Sequence, residues 1–431
     1  MWQAAMWLFM LSIVFFICLR LWKDAGGAVK SKKICFLIEA KQNKRIIKPV
    51  KNKEALTVFL YALLFRTAVY FISVIILALQ NNGIGSFQDF LEGWRRWDGS
   101  NYLAIAENGY ADSLVDGKPL FLVFFPFYSY LIRIFHLLIP DYMVSALAVS
   151  CISYGIGCVY FYKLTALDYG RDAARNSVIF LSVFPFAFFF GSMMSESTFF
   201  MLSAMVLYYA RIHKWRRAGL VGIFACITRM HGILLLFPAF IEWAAYYKPL
   251  ALIRKKRYDY LLKAVFTKAI WLPAMGLGIL YYLWLNYDIT GNPFQFMIYQ
   301  KEHWSQGFCS FTHTLDYVFQ LAFFQEKLES IQFCIWIPEA LLFILGMLCV
   351  LYGLKSSRTS YAAYLLVYLL LNYSVTWLLS GGRYLSCALP MFLFAGCWAK
   401  KHKAGGFIVF SLSLALFILY LTGHIGWKEI M

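Results

Sequence analysis

The sequence predicts an all-α fold, a polytopic bundle of transmembrane helices in a single membrane domain. Of its 431 residues, 61% are hydrophobic and only 14% are charged, whereas soluble domains carry about 25% charged residues. Uncharged apolar runs close to the roughly 20 residues that span a bilayer recur along the chain. We expect about 11 to 13 membrane segments, some of them re-entrant or broken. The clearest runs are 2–19, 177–195, 269–287, 359–382 and 404–427.

The first apolar run is interpreted as a retained transmembrane segment. It lacks the basic n-region and the small-residue cleavage site of a signal peptide. Between Lys23 and Lys53 there are ten Lys and Arg residues against two acidic ones, which predicts a cytoplasmic loop. The later basic segments assigned to the same side of the membrane are 211–217, 248–263, 355–358 and 400–403.

The positions of the charges and of the cysteines exclude several classes of protein. A net charge of +18 is compatible with nucleic-acid binding, but the basic residues lie between apolar runs, so no nucleic-acid partner is expected. The ten cysteines are scattered, mostly inside apolar runs, without a CxxC pair or metal-ligand spacing. We therefore expect neither a disulfide framework nor a bound metal or cofactor.

Two stretches do not fit uninterrupted transmembrane helices. Residues 218–247 begin and end beside basic segments but are too few for two full spans. We expect either two short half-helices that turn near TRMHG at 228–232 or a different topology here. The segment 166–177 has the composition of a cytoplasmic loop, which two full spans between 119 and 163 would not allow. FLVFFPFYSYLIRIF at 121–135 is therefore a candidate re-entrant or interfacial segment.

This topology places a set of isolated polar residues on the external side of the membrane. Ionisable residues within or beside apolar spans are energetically expensive and usually face a cavity or the bundle interior. A carboxylate among several cations in a sheltered pocket suits chemistry on an anionic, lipid-linked substrate. The residues concerned are Asp98, Glu196, Arg229, His231, Arg383 and Tyr384.

Most of these residues also have a purely structural explanation. Asp98 is a favoured N-cap for the short amphipathic helix predicted after it. Glu196 is suited to cap its helix or to pair with a neighbouring helix. Arg229 is suited to snorkel or to bond carbonyls at a helix break. Arg383 is suited to anchor a helix end at the lipid headgroups, and headgroup contact is also the simplest role for Arg95 and Arg96.

One motif carries information about the family. RRWDGSNYLAIAENGY at 95–110, followed by FFPFYSYLIRIF, closely resembles the first external loop of the PIG-V family, the second mannosyltransferase of GPI-anchor synthesis. That family belongs to the GT-C glycosyltransferases. Three weaker motifs occur in the order typical of the family: SMMSESTFF, TRMHGILLLFPAF and GGRYLSCALPMF. Ser129 replaces a frequent proline, and Met230 with His231 replaces the usual Ser-Asn, departures that concern the acceptor more than the reaction.

The resemblance implies how the chain is divided. Residues 55–423 correspond to a GT-C-like transmembrane catalytic domain, whose first external loop is 81–118. An extra N-terminal transmembrane segment at 1–22 and the basic cytoplasmic loop at 23–54 precede it. Residues 424–431 form a short tail.

The resemblance also implies an inverting mannosyltransferase that uses a polyprenyl-phosphate-mannose donor on the non-cytoplasmic face. Asp98 is then the general base that deprotonates the acceptor hydroxyl. Arg229 and Arg383, with Arg95 or Arg96, hold the leaving phosphate. The remaining candidate substrate-binding residues are Glu196, His231 and Tyr384 beside these cations, and Trp97, Tyr102 and Tyr110, whose rings are suited either to stack on sugars or to anchor the loop.

Other functions are compatible with the same residues. A transporter or flippase of a lipid-linked anionic substrate would also gather cations and a carboxylate near broken helices, although no internal repeat favours it. The others are a GT-C transferase for another sugar, such as glucose or aminoarabinose, and a structural membrane subunit. The expected partners of the enzyme are the lipid-linked donor, a glycan or glycolipid acceptor and the bilayer. The compact length favours a bacterial plasma membrane, with the endoplasmic reticulum membrane as the alternative.

Overall fold

The protein is helical throughout the residues that the computed structural model describes, which are 2–29, 31, 49–80, 83–325, 330–426, 428 and 430. Most of the predicted basic loop therefore lies outside the described residues. Within them, β-type pairing is limited to two isolated bridges. The α-helices in chain order are α1 (Trp2–Asp24), α2 (Asn52–Gln80), α3 (Phe87–Trp94), α4 (Gly99–Asp112), α5 (Phe127–His136), α6 (Tyr142–Tyr169), α7 (Arg171–Ser182), α8 (Glu196–Arg211), α9 (Trp215–Cys226), α10 (Leu236–Tyr247), α11 (Pro249–Arg254), α12 (Tyr258–Thr267), α13 (Gly276–Thr290), α14 (Gln295–Trp304), α15 (Phe311–Phe323), α16 (Ile337–Ser356), α17 (Thr359–Asn372), α18 (Gly381–Leu385), α19 (Leu389–Lys401) and α20 (Lys403–Ile425).

Six helical segments are long and apolar enough to cross a membrane, counting the described residues alone. Four of them are single helices: α1, α2, α6 and α20. The fifth joins α12 and α13 over Tyr258–Thr290, and the sixth joins a π-helical turn to α16 over Gln332–Ser356. The shorter helices pack among these spans, with α8 against α6 and α7 against α19. The prediction of an all-α, polytopic membrane bundle is thereby confirmed.

The apolar run 177–195 is not one transmembrane helix. α7 ends at Ser182, and α8 begins only at Glu196. Pro185 lies between them; it has no N–H to donate, and its ring would collide with the carbonyl one turn earlier. The connection is nevertheless buried and contains a 3₁₀ turn at Ala187–Gly191. The expectation of a continuous span at this place is wrong.

The apolar run 359–382 is interrupted as well. α17 ends at Asn372, and the backbone beyond it pairs with a distant loop. Thr376 donates its N–H to the carbonyl of Gly307 at 2.9 Å, and Cys309 donates to the carbonyl of Ser374 at 3.1 Å. Because these backbone groups find partners outside the helix, the run leaves the helical path before Arg383. A single span is wrong here too.

The predicted break within 218–247 is confirmed. α9 and α10 have 12 residues each, or about 18 Å, too short to cross a hydrocarbon core of about 30 Å. A 3₁₀ turn at Met230–Leu235 connects them. A Cβ on Gly232 in this turn would overlap the backbone of Ala225, so glycine permits the close approach. Non-helical backbone at this depth is tolerated because protein surrounds it.

The helix α5 resolves the question left open between residues 119 and 163. With 10 residues it is about 15 Å long and does not span a bilayer. α6 is then the one full span between residues 119 and 177. This brings Asp168 to within 2.7 Å of Arg211 and Arg171 to within 2.8 Å of Glu54.

The charged residues separate into two ends of the bundle. One end, called the basic end below, also contains the ion pair between Arg358 and Glu242 at 2.7 Å and the bond from Lys400 to the Tyr169 carbonyl at 3.0 Å. The segments predicted to be cytoplasmic therefore share one end wherever they are described. α8 runs from Glu196 at the other end to Arg211 at this one, a distance of about 22 Å.

Candidate active site

Four charged residues from distant parts of the chain form a linked cluster at the end opposite the basic end. Nη1 of Arg383 lies 2.7 Å from Oδ2 of Asp98. Nε of the same arginine lies 3.0 Å from Oε1 of Glu196. Nη2 of Arg229 lies 3.0 Å from that same Oε1. The structure thus brings together four of the six polar residues that the sequence analysis placed on one side of the membrane.

The accessibility of these side chains shows where the cluster opens. The side chain of Glu196 is 1% exposed, that of Arg383 7% and that of Arg229 9%. Asp98 is the most accessible of the four, at 22%. Two carboxylates balance two guanidinium groups, which is the arrangement that buried charges require. A ligand that approaches the cluster therefore meets Asp98 first.

The cluster has unused binding capacity. Oε1 of Glu196 is at ion-pair distance from both arginines but without aligned hydrogen bonds. Oε2 of Glu196 and Nη1 of Arg229 are buried and have no hydrogen-bond partner in the described part of the chain. Buried polar atoms are normally hydrogen-bonded, so these atoms are available to bind a ligand.

Asp98 stands at the first residue before α4, as predicted, but its carboxylate does not cap the helix. The N-terminus of α4 receives no side-chain hydrogen bond from Asp98, and the carboxylate pairs with Arg383 instead. Trp97 before it has a φ of 53°, a left-handed conformation that is unfavourable for a bulky residue. The surrounding structure therefore fixes this turn against its local preference.

The C-terminal tail supplies that constraint. Arg96 is buried and donates from Nη1 to the carbonyl of His424 at 2.7 Å and from Nη2 to that of Lys428 at 3.2 Å. The indole N–H of Trp97 donates to the carbonyl of Ile430 at 2.9 Å. The Arg96 and Trp97 side chains thus bind protein carbonyls at the end of α20 and beyond, and they hold the turn that carries Asp98.

The other aromatic candidates and Arg95 are placed differently. The hydroxyl of Tyr102 is hydrogen-bonded to Oγ of Ser195 at 3.0 Å, directly before Glu196. Tyr110 donates to the carbonyl of Phe124 at 2.6 Å and is buried. Arg95 is exposed and pairs with Glu92 at 2.9 Å. Of these three, only Tyr102 borders the charged cluster.

The ring of Tyr384 organises the cations. The guanidinium carbon of Arg229 lies 5.0 Å from the ring centroid, and that of Arg383 lies 5.1 Å from it. Attraction to the ring face stabilises cations that are taken out of water. The His231 ring lies 5.7 Å from the Tyr384 ring and 5.1 Å from the Tyr368 ring. His231 and Tyr384 therefore adjoin the cluster, as expected from the sequence.

The sequence analysis missed a third carboxylate, Glu339, that positions Arg383. Its Oε1 accepts the N–H of Gly381 at 2.5 Å and that of Gly382 at 3.3 Å. A Cβ on Gly381 would overlap the carboxylate, so the approach depends on glycine. The sequence does contain a sign of this residue, because Glu339 is an acidic residue inside the otherwise uncharged apolar run IPEALLF. Ionisable residues within membrane segments usually have a function.

The described residues contain no group of three or more His, Cys, Asp or Glu side chains placed to hold a metal ion. The cluster consists of alternating carboxylates and guanidinium groups. Such a set offers one accessible base and several donors for an anion.

Comparison with known proteins supports a membrane glycosyltransferase. A family model described as dolichyl-phosphate-mannose-protein mannosyltransferase matches residues 118–276. The match covers less than half of the chain; it includes Glu196 and Arg229 but not Asp98 or Arg383. No curated protein matches the sequence.

The fold is similar to that of ArnT from Cupriavidus metallidurans, whose crystal structure has undecaprenyl phosphate bound. The TM-score is 0.50 at 13% identity, over 87% of this chain and 72% of ArnT. Two structures of an Archaeoglobus fulgidus oligosaccharyltransferase are more distant. The apo form gives a TM-score of 0.43 at 12% identity, over 88% of this chain and 57% of that one. AglB with an inhibitory peptide and a dolichol-phosphate gives 0.43 at 12%, over 87% and 56%.

This chain spans little more than half the length of those two archaeal structures. Neither the family match nor the fold singles out the PIG-V family. The likeness to ArnT, at such low identity, concerns the fold alone. The chain is a multi-pass membrane protein with an all-α fold of the GT-C type, and the partial family match supports a glycosyltransferase.

Proposed function

We propose that the protein transfers a sugar, mannose in the first instance, from a polyprenyl-phosphate donor to a glycan or glycolipid acceptor. The reaction takes place at the Asp98 end of the bundle, on the external or luminal face. One observation carries the proposal: an accessible carboxylate, Asp98, is paired with Arg383, which Glu196 links to Arg229. A base and two anion-binding cations are thereby within one cluster.

The chemistry of a sugar phosphodiester suits this set of residues. The phosphate is already a good leaving group, so the reaction does not require a carboxylic acid to protonate it. It requires a base for the acceptor hydroxyl and cations that stabilise charge on the departing phosphate. Asp98 takes the hydroxyl proton while the acceptor oxygen bonds to the anomeric carbon. The bond from that carbon to the phosphate oxygen breaks, and the polyprenyl phosphate leaves.

A single base gives direct displacement with inversion, unlike the carboxylate pair of retaining glycosidases. A β-linked donor therefore gives an α-linked product. Glu196 does not serve as the second catalytic carboxylate in this proposal because it is fully buried between two arginines. Its charge instead holds Arg229 and Arg383 side by side, which prepares them for one phosphate group.

Donor binding then frees the base. Nη1 of Arg383 pairs with the Asp98 carboxylate at 2.7 Å. A donor phosphate that binds Arg383 and Arg229 competes for the same guanidinium group. Asp98 is thereby released toward the acceptor only once the donor is in place. Ordered binding of donor before acceptor follows from this arrangement.

The mannose assignment rests on the sequence resemblance and on the partial family match. Purified protein with radiolabelled polyprenyl-phosphate-mannose and a membrane lipid extract should yield a labelled glycosidic product. Parallel reactions with the glucose and aminoarabinose donors identify the sugar. Transfer of another sugar with no transfer of mannose would overturn the mannose assignment alone.

A second arm of the experiment distinguishes an enzyme from a transporter. Proteoliposomes loaded with lipid-linked sugar should form product and should not move the intact donor across the bilayer. Translocation of the intact donor without any glycosidic product, with every supplied acceptor, would contradict the enzyme assignment.

A further inference from the structure

A groove of about 610 Å³ opens at the basic end of the bundle, far from the Asp98 cluster. α7 and α20 form its two walls, and the end of α19 lies between them at Ala399. Phe407 on α20 is 70% exposed, so the groove is open to the surrounding lipid on the α20 side. The groove has no part in the proposed sugar transfer, so its role is a separate question.

The lining residues occupy one face of each wall helix. On α7 they are spaced by three or four positions, which places them on one side: Asp172, Arg175, Asn176, Ile179 and Phe180. On α20 the same spacing holds for Lys403, Gly406, Phe407 and Phe410. Gly406 packs closely against Ala399, and a Cβ on Gly406 would overlap the Ala399 side chain.

Both walls change from charged to apolar in the same direction. Arg175 and Lys403 lie near the helix ends that face water, and Ile179 and Phe410 lie deeper along the same faces. Lys403 and Phe410 are seven residues apart, about 10 Å along the helix. This exceeds the headgroup layer of one leaflet, about 5–8 Å thick, so the groove extends from the headgroup region into the hydrocarbon. The groove therefore reproduces the polarity profile of one phospholipid molecule.

The rim of the groove has a net positive charge. Arg175, Lys400 and Lys403 line it, against a single acid, Asp172. The Asp172–Arg175 ion pair at 3.2 Å is exposed on both sides, and such pairs contribute little. The ammonium group of Lys400 is held at the rim by the Tyr169 carbonyl at 3.0 Å. It keeps two further protons to donate.

We propose that this groove binds an anionic glycerophospholipid. The phosphate contacts the cations of the rim, and an acyl chain lies along the apolar walls between α7 and α20. Basic pockets between transmembrane helices bind anionic headgroups in this way. The lipid bridges two helices that are distant in sequence, and it therefore stabilises their packing against α19.

Photoaffinity labelling in nanodiscs tests the proposal. The probes are phosphatidylglycerol and phosphatidylcholine that carry the same photoreactive acyl chain. Phosphatidylglycerol should label residues of α7 and α20 that line the groove, identified by peptide mass spectrometry. Phosphatidylcholine should label them weakly. Equal labelling by the two lipids, or phosphatidylglycerol labels confined to other surfaces, would overturn the proposal.

The double variant R175Q/K403Q removes two rim charges from exposed positions. Each basic residue near an anionic lipid contributes a factor of about 5, so labelling by phosphatidylglycerol should fall by roughly 25-fold at low salt. The matched control, K255Q/K256Q, removes two exposed lysines of the basic end outside the groove. The control should keep the parent's labelling, and an equal fall in both variants would show that only the general charge of this end matters.

A competition experiment distinguishes binding of the whole lipid from binding of its headgroup alone. Inorganic phosphate and glycerol phosphate in millimolar excess should not displace the probe, because neither fills the apolar part of the groove. Complete displacement by either would reassign the groove as a phosphate site. Glycosyl transfer is measured separately, so failure of the proposed enzyme activity does not affect these outcomes.

Discussion

The guanidinium group of Arg383 contacts the carboxylate of Asp98 at 2.7 Å, although one residue lies in the first quarter of the chain and the other in the last. This ion pair joins the loop before α4 to the short helix α18. Arg383 also contacts Glu196, so the base and the anion-binding cations are linked in one cluster. The predictions below test the parts of this cluster one at a time.

Asp98→Asn should reduce sugar transfer by about 10²–10⁴-fold, the usual loss when a general base is removed. Asparagine keeps the shape of the side chain and its ability to form hydrogen bonds, but it does not accept the proton. Donor binding, measured by retention of labelled lipid-linked sugar, should persist. Asp112→Asn, at the exposed end of the same helix, is the matched control. Near-normal turnover of Asp98→Asn would rule out the assignment.

Arg229→Lys and Arg383→Lys should both impair transfer, at least one of them by about 10²–10³-fold. The planar guanidinium group binds two phosphate oxygens at once, which an ammonium group does only as a point charge. Initial rates over a range of donor concentrations measure the effect. Arg257→Lys, an exposed residue of the basic end, controls for the substitution itself. Full activity in both cluster variants would mean that the phosphate binds elsewhere.

Arg96→Leu should lower both stability and transfer. It removes two hydrogen bonds from a charged group to the His424 and Lys428 carbonyls, and a hydrogen bond of this kind contributes about 1.5–3 kcal/mol. Thermal unfolding in detergent measures the first effect. Transfer should fall through kcat, because Asp98 shifts with the released turn. Arg95→Leu, next to it but exposed, should change stability by no more than about 0.5 kcal/mol, and equal effects of the two would contradict a role for the tail.

Gly381→Ala should abolish transfer while the protein still inserts into the membrane. The added methyl group overlaps the Glu339 carboxylate, and the backbone that carries Arg383 must then move. Gly307→Ala is the control, because its nearest neighbour is 3.9 Å away and its substitution meets no obstacle. A Gly381→Ala protein with normal transfer would show that Glu339 does not fix the position of Arg383.

The orientation of the bundle is tested by labelling single cysteines with a membrane-impermeant reagent in a cysteine-free background. A cysteine at Asp112, exposed at the Asp98 end, should react from outside the cell. One at Lys256, exposed at the basic end, should react only after the membrane is made permeable. The reverse pattern would place the cluster on the cytoplasmic face and contradict the proposed side of the reaction.

The sequence by itself determined the membrane class, the helical fold and the grouping of charges. The physical reason is that hydrocarbon excludes unpaired polar backbone and isolated charge, so composition and the position of basic loops carry the information. This logic also located the break near TRMHG, because residues 218–247 are too short for two spans. The same reasoning placed Asp98, Glu196, Arg229 and Arg383 on one side of the membrane without knowledge of their contacts.

Only the tertiary structure decided how these residues pair. Whether Asp98 caps α4 or pairs with Arg383 depends on long-range packing, and both outcomes satisfy the local sequence. The same holds for Arg96 and Trp97, which bind carbonyls of the C-terminal tail instead of lying free at the membrane surface. Helix breaks within apolar runs could not be predicted for a related reason. The hydrophobicity of a segment predicts that it is buried. Whether its helix breaks depends on where its backbone N–H and C=O groups find hydrogen-bond partners.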